Sequence, residues 1–165
     1  MIRPSLDDIP DLPLPDGLEM RPALPEHYRS IWASVDETSQ DEWGYTGGDY
    51  ETWLNNMPHF QPHLWQIAWD IATQQVAGHG LTFIDHEQNE KFNRKRGYTE
   101  GIRVGQAWRR RGLARALIAC SLQAQNATGM TESAPAVDSE NVSTCLHESC
   151  DFRVVNRDTI YRKPF

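Results

Sequence analysis

Apolar and polar positions along the chain change period several times, and each change predicts an element. Residues 18–22, Leu-Glu-Met-Arg-Pro, alternate and read as a short first strand. Residues 25–35 carry apolar groups at helical spacing, with Pro25 near the first turn. Residues 41–48 form a turn-rich link, and Asp49 is placed to cap a second helix over 50–56. Residues 64–70 and 76–84 read as paired strands across a short polar turn. The charged, aperiodic stretch 85–97 predicts a loop, and 98–104 a fourth strand. A helix follows from Gly112 to about Ala127, with Leu113, Leu117, Cys120 and Ala124 on one stripe and Gly129 as its stop. Residues 132–137 read as a fifth strand and 142–149 as a short helix. Residues 152–156 and 159–163 read as a closing hairpin. The order β-α-α-β-β-β-α-β-α-β-β describes an α/β (α+β) chain without internal repeats. Prolines at 4, 10, 13 and 15 make residues 1–17 an extended, poorly packed tail, which leaves 18–165 as the domain.

Composition narrows this picture. A chain of 165 residues, 39% hydrophobic and 24% charged, suits one globular domain with a core. No apolar run approaches the roughly 18–20 residues that span a bilayer, and the leading residues lack the apolar core of a signal peptide. The expected location is the cytoplasm, with no membrane partner. Cys120, Cys145 and Cys150 are odd in number and match no zinc-site spacing, so reduced thiols and no metal are expected. Cys120 and Cys145 fall on apolar stripes and read as small buried hydrophobes. The net charge of −7 is uneven. Residues 1–60 hold 12 acidic and 3 basic groups, whereas 91–115 hold nine basic groups and one acid, Glu100. Overall acidity, without a basic stripe interleaved with aromatics, argues against a nucleic-acid partner.

The basic region contains the chemistry. After the fourth strand comes Arg109-Arg110-Arg111-Gly112-Leu113-Ala114, and then the long helix. Gly112 lets backbone approach a ligand. The N–H groups and dipole of a helix start attract phosphate, and arginines add forked donors. A strand, a cationic glycine turn and a helix make a pyrophosphate cradle. The spacing is neither G-x-G-x-x-G nor G-x-x-x-x-G-K-[ST]. It reads [Q/R]-x-x-G-x-[G/A], and so resembles the acetyl-CoA signature of the GNAT N-acetyltransferase superfamily. Gly129-Met-Thr-Glu132 and Val137-Asp-Ser-Glu-Asn141 are similar to segments of one branch. That branch includes halves of two-domain acetyltransferases related to mycothiol synthase. Glu26-His27, Trp43-Gly44-Tyr45, Lys91 and Arg96-Gly97-Tyr98 look similar as well.

The resemblance implies a GNAT-like fold over residues 18–165: a mixed, mostly antiparallel sheet of about seven strands, helices on both faces, and a splay between the fourth and fifth strands. Pro135, which lacks an N–H, suits a place where two strands part, although an ordinary bulge would tolerate it too. The implied reaction is direct transfer of acetyl from acetyl-CoA to a primary amine of a small molecule. Backbone of Ile102, Arg103 and Val104 would meet the pantetheine arm. Arg109, Arg110, Arg111, Gly112, Leu113 and Ala114 would hold the pyrophosphate, and Arg110 and Arg115 would reach the solvent end of the cofactor. Asn141 would lie near the pantetheine, or cap a helix, or both.

Glu100 is the candidate base. On a strand, residues 100, 102 and 104 share a face; the plainer reading is an edge carboxylate paired with arginine. His147 stands where relatives carry a tyrosine acid, and a surface histidine is the plainer reading. The stretch from Asn141 to Phe152 is about two residues short, and Asp151 replaces the usual glycine. A degenerate CoA-binding module is therefore the alternative. Trp32, Asp36, Glu37, Trp43, Tyr45, Tyr50 and Trp53 could receive a cationic amine, or could be core and solvated surface. His79, between two glycines, reads as structural or as facing the cleft. Domains of this family often dimerise, which makes a homodimer one expected assembly.

Overall fold

The computed structural model describes residues 1–40, 47–135 and 143–157. Strands β1 (Leu18–Arg21), β2 (Gln66–Asp70) and β3 (Val76–Gly80) form an antiparallel meander, which β5 (Arg103–Val104) extends. Strands β4 (Arg96–Tyr98) and β6 (Glu132–Ala134) form a separate parallel ladder. A Phe83–Tyr98 bridge and the bond from Leu81 N–H to the Glu100 carbonyl (2.9 Å) join the two. Among the described residues there are thus six strands in a four-plus-two arrangement, not a continuous sheet of seven. The second half of the expected hairpin, 159–163, lies outside the described residues. The first half makes only an isolated bridge, Ile2 to Arg153.

The expected fourth strand is interrupted. Gly78 pairs with Val104 and His79 with Arg103, but further along Phe83 pairs with Tyr98. Residues 80–82 therefore face 99–102, one residue more, and Gly101 takes φ +58°. This is a β-bulge with glycine in the left-handed region. The extra residue breaks the alternation. Ile102 and Val104 pack toward the core around Leu113 and Leu117, while Glu100 lines a cavity with Trp32 and Trp53. The expectation that 100, 102 and 104 share a face is corrected by this bulge.

Helices cover both faces. On one, α1 (Tyr28–Ser39) and α2 (Tyr50–Asn56) pack over Trp65, Ile67 and Trp69. The second helix has its expected limits, because Asp49 accepts the Thr52 N–H at 2.9 Å as its N-cap. On the other face, α4 (Leu113–Ala127) is buried more widely than one stripe. Leu113 and Leu117 meet the sheet at Ala68 and Ala77, and Ile118 and Leu122 meet Leu6, Cys150 and Phe152. Cys120 is half-exposed, since the buried stripe is set by two packing partners rather than one. Cys145 is exposed and Cys150 buried. The expected loop 85–97 contains a further helix, α3 (His86–Lys91), capped by Asp85. Its polar sequence hides it. Buried Asn89 anchors it to the backbone of Arg96 at 2.8 and 3.0 Å.

The leading segment is extended but not loosely packed. Arg3 pairs through its backbone with Ser133, and Leu6 is 1% exposed. The Arg3 guanidinium is buried and donates to the Cys150 carbonyl (2.6 Å), the Ser5 carbonyl (3.1 Å) and the Asp8 carbonyl, and pairs with Asp151 at 2.9 Å. The edge of β6 and the groove beside α4 supply a packing that the proline pattern does not announce.

Helix α4 ends in a Schellman motif at Gly129, whose φ is +83°. The Met130 N–H returns to Gln125 (3.1 Å) and the Gly129 N–H to Asn126 (2.9 Å). Among the described residues no helix is long and apolar enough to cross a membrane.

Candidate active site

Between β5 and α4 the chain makes a 3-10 turn, Gln106–Trp108, and then two left-handed residues, Arg110 (φ +60°) and Gly112 (φ +89°). The Trp108 ring covers Gly105, and its indole N–H donates to Asp70 Oδ2 at 2.8 Å. That bond holds the Asp70 carboxyl below the usual range and ties the turn to the end of β2. The backbone N–H groups of residues 110–114 meet no backbone carbonyl among the described residues. Three of them precede the helix, and two belong to its first turn, where no intrahelical acceptor exists.

A cavity of about 240 Å³ lies here, lined by Val104, Trp108, Arg109, Arg110, Arg115 and Leu146, together with Gly112, Leu113 and Ala114. Arg109 Nε also donates to the Val104 carbonyl (3.0 Å). Arg111 is different: its guanidinium donates to the Asp16 carbonyl (3.0 Å) and lines no part of the cavity. The Leu113 side chain belongs to the core around Leu117. The Ile102 side chain is core as well.

Arg103 sits beside His79, which is fully buried with Nδ1 at 3.2 Å from the Ser34 hydroxyl. Burial first, and then the Arg103 charge, lower the His79 pKa to about 3. This histidine is structural and does not face a cleft.

A second cavity, of about 480 Å³, opens on the other side of the bulge. Its walls are Trp32 from α1, Trp53 from α2, and Trp65, Leu81 and Phe83 from the sheet side, with Met57 below. His59 stacks on Phe83 at 4.7 Å, and Phe83 on Tyr98 at 4.9 Å. Glu100 and Gly101 close the sheet side, and Glu100 is the one carboxylate in the lining among the described residues. The two cavities therefore touch one strand segment, at residues 100–101 and at 104.

Of the acceptor-side candidates, Trp32 and Trp53 line this cavity. Tyr50 packs between Trp32 and Trp53 with the Arg29 guanidinium 4.2 Å over its ring. Asp36 and Glu37 do not reach the lining. Trp43, Tyr45 and Asn141 lie outside the described residues. Sequence pattern does not single out Trp65, Leu81, Phe83, Met57 or His59. The first three look like ordinary strand residues, and 57–63 has no period to read.

His147 on α5 (Ser143–Glu148) is buried and lines neither cavity. The reading of a surface histidine is thereby corrected. The reason is the end of α5. The Phe152 N–H returns to the His147 carbonyl (3.1 Å), the Asp151 N–H to Glu148 (3.1 Å), and Asp151 takes φ +64°. This is a second Schellman motif, in which His147 and Phe152 occupy the two positions that make the accompanying hydrophobic contact. Their rings meet edge-on at 5.2 Å. The His147 Nδ1 lies 2.7 Å from the Ser143 carbonyl, and burial lowers its pKa. Asp151 keeps the conformation that a glycine would take, one that aspartate tolerates better than most residues.

Comparison with known proteins agrees with this architecture. The acetyltransferase (GNAT) family matches residues 26–152. A GCN5-related N-acetyltransferase from Sphaerobacter thermophilus superposes with a TM-score of 0.73 at 22% identity, covering 91% of this chain and 46% of that one. The chain thus spans about half the length of that relative. An aminoglycoside acetyltransferase from an uncultured soil metagenomic sample, in complex with sisomicin, gives 0.66 at 11% identity over 91% of this chain and 97% of that one. The aminoglycoside N-acetyltransferase AAC(6')-Iy, in complex with the bisubstrate analogue CoA-S-monomethyl-acetylneamine, gives 0.64 at 22% identity over 90% and 99%. At these identities the likeness is one of fold. No curated protein matches the chain.

Proposed function

The chain belongs to the acetyltransferase (GNAT) family, and we propose that it moves the acetyl group of acetyl-CoA directly to a primary amine of a small molecule. One observation carries the reading: among the described residues the backbone N–H groups of 110–114 lack backbone acceptors at the positive end of α4, and Arg110, Gly112, Leu113 and Ala114 line a cavity walled also by Arg109 and Arg115. Such a run fits a pyrophosphate. The space around Gly112 leaves room for it, since nothing lies within 4 Å of where a Cβ would stand. Arg111 is assigned to the backbone of this cradle only.

The strand beside the cradle supplies the rest. The parallel β4–β6 ladder ends with the bond from Thr99 N–H to the Ala134 carbonyl, and Pro135 follows without an N–H. We read this as the point where the fourth and fifth strands part. Gly105 N–H bonds the Ala77 carbonyl at 3.0 Å. By the alternation of an antiparallel ladder, Arg103 then directs its backbone groups to His79, and Ile102 and Val104 direct theirs to the open edge. Of the three expected pantetheine contacts, the backbone ones fall to Ile102 and Val104. Asn141 stays a proposed contact through the family resemblance.

Acetyl-CoA supplies the activated thioester. The chain's own residues orient it, exclude water and manage the proton of the amine. Glu100, in the wall of the second cavity, is the proposed base. His147 is given no part in proton transfer. The sisomicin complex of the metagenomic relative supports a small-molecule acceptor. The half-length cover of the Sphaerobacter protein supports kinship with one half of a two-domain acetyltransferase related to mycothiol synthase. A cytoplasmic location is proposed with it.

Calorimetric titration with acetyl-CoA tests the reading. Wild type is expected to bind with a micromolar Kd, and Gly112→Asp to lose the binding heat. No heat with wild type refutes the reading. Glu100→Gln is expected to lower the rate of thiol release about 10²–10⁴-fold. Binding without thiol release for any amine would leave a CoA-binding module.

A further inference from the structure

We propose that the acceptor is a monoamine carried on an aromatic or otherwise apolar body. This rests on the reading above, because it takes the cavity at Glu100 as the acceptor site.

The wall of that cavity is aromatic. Trp32, Trp53, Trp65 and Phe83 bring four aromatic side chains to one space, with Leu81 and Met57 between them. These rings are held by one another. Trp53 lies 6.1 Å from Trp65, Trp65 5.3 Å from Phe60, and Tyr50 6.0 Å from Trp32. Phe83 is the middle of the His59–Phe83–Tyr98 stack, with interplanar angles of 4° and 9°. A preformed apolar cavity of about 480 Å³ has the size and character of a small-molecule site, in which a few polar groups fix orientation.

Those polar groups are few. The Thr52 hydroxyl donates to Asp49 at 2.6 Å, so it is committed to the cap of α2. The His59 imidazole is stacked on Phe83 and directed at Asp85, at 3.6 Å. The other charged and amide groups of the described lining are Glu100 and Asn56. One ammonium can meet Glu100 and the faces of the indoles. Among the described residues the rest of the wall carries no carboxylate for a second or third ammonium, and burying an uncompensated charge is strongly unfavourable. A hydroxyl-rich body would likewise leave its own donors and acceptors unmatched. The same fold that carries sisomicin in a relative therefore has here a wall suited to a different amine.

The test compares 2-phenylethylamine with sisomicin on the full chain, by two independent readouts. Thiol release from acetyl-CoA gives kcat/KM for each amine. Quenching of tryptophan fluorescence, without acetyl-CoA, gives the affinity of each for the cavity. The expected result is a kcat/KM at least about tenfold higher for 2-phenylethylamine, with saturable quenching. Trp53→Ala is expected to raise KM for this amine about tenfold or more, and Trp53→Phe to restore most of it, with the acetyl-CoA binding heat unchanged in both. Asn56→Asp, which adds a second carboxylate, is expected to narrow the ratio in favour of sisomicin. A higher kcat/KM for sisomicin in wild type would overturn the proposal and leave acetyl transfer standing. Saturable quenching by 2-phenylethylamine without thiol release would overturn acetyl transfer and uphold the cavity's preference. Neither quenching nor release would overturn both.

Discussion

His79 shows how much one side chain can encode. It is neutral in the folded protein down to a pKa of about 3, through burial and the neighbouring Arg103. In the unfolded chain it takes a proton near its ordinary value of 6.5. Between those values the unfolded state binds more protons, so the folded state loses stability as pH falls from 6.5 toward 3. His147, also lowered by burial, acts in the same direction. Urea unfolding at pH 7 and pH 5 is expected to show a smaller acid loss for His79→Asn than for wild type. The limit for one proton is about 1.4 kcal/mol per pH unit. Equal losses would show that His79 titrates normally. Gly78 is a second case. A Cβ there would lie 2.9 Å from the Arg103 carbonyl and 3.1 Å from Leu113 and Leu117 methyl carbons. Gly78→Ala is expected to destabilise the fold by about 1–3 kcal/mol, measured by thermal unfolding. A glycine here is required by the closeness of α4, which no local pattern announces.

At the scale of elements, two devices place the site. The bulge at Gly101 turns Glu100 to the aromatic cavity while Ile102 and Val104 stay with α4. The Schellman end of α5 commits His147 to Phe152. His147→Phe keeps that ring contact and removes any proton donor. It is expected to leave the thiol-release rate close to wild type, and a loss of about 10²-fold or more would restore the acid role. The leading segment is the third element to weigh. Leu6 fills the pocket between Ile118, Leu122, Cys150 and Phe152, so Leu6→Ala is expected to cost about 2–5 kcal/mol in denaturant unfolding. A change below half a kcal/mol would mean the segment is as loosely held as its prolines suggest. Helices with a cap or a glycine stop, at Asp49 and Gly129, were legible in sequence. Helix α3 was not, because its anchor is Asn89 reaching across to Arg96 rather than an apolar stripe.

For the whole molecule, ligand binding and stability are linked. A ligand at one hundred times its Kd stabilises the folded state by about 2.7 kcal/mol. In a domain of this size that raises Tm by roughly 5–10 °C. Wild type with excess acetyl-CoA is expected to show that rise. Gly112→Asp is expected to lose it, and its unliganded Tm to fall by the strain of a side chain at φ +89°, although nothing lies within 4 Å of the added Cβ. A variant that keeps the full rise would remove the turn from the cofactor site. The cavity walls belong to this scale as well. Trp32, Trp53 and Trp65 come from three separate stretches of chain, and only their assembly makes one aromatic chamber.

The sequence by itself determined the first three strands, the limits of α2 and α4 and the cationic turn. Caps, glycine stops and a six-residue motif act within a few residues, and their physics is local. Tertiary structure alone decided which face Glu100 takes, since one extra residue opposite 80–82 reverses the alternation. It decided that His147 is buried, because Phe152 folds back onto it. It also decided that Arg111 is engaged with Asp16, 95 positions away. Side-chain direction and burial depend on what the rest of the chain brings alongside, and spacing along one segment does not contain that.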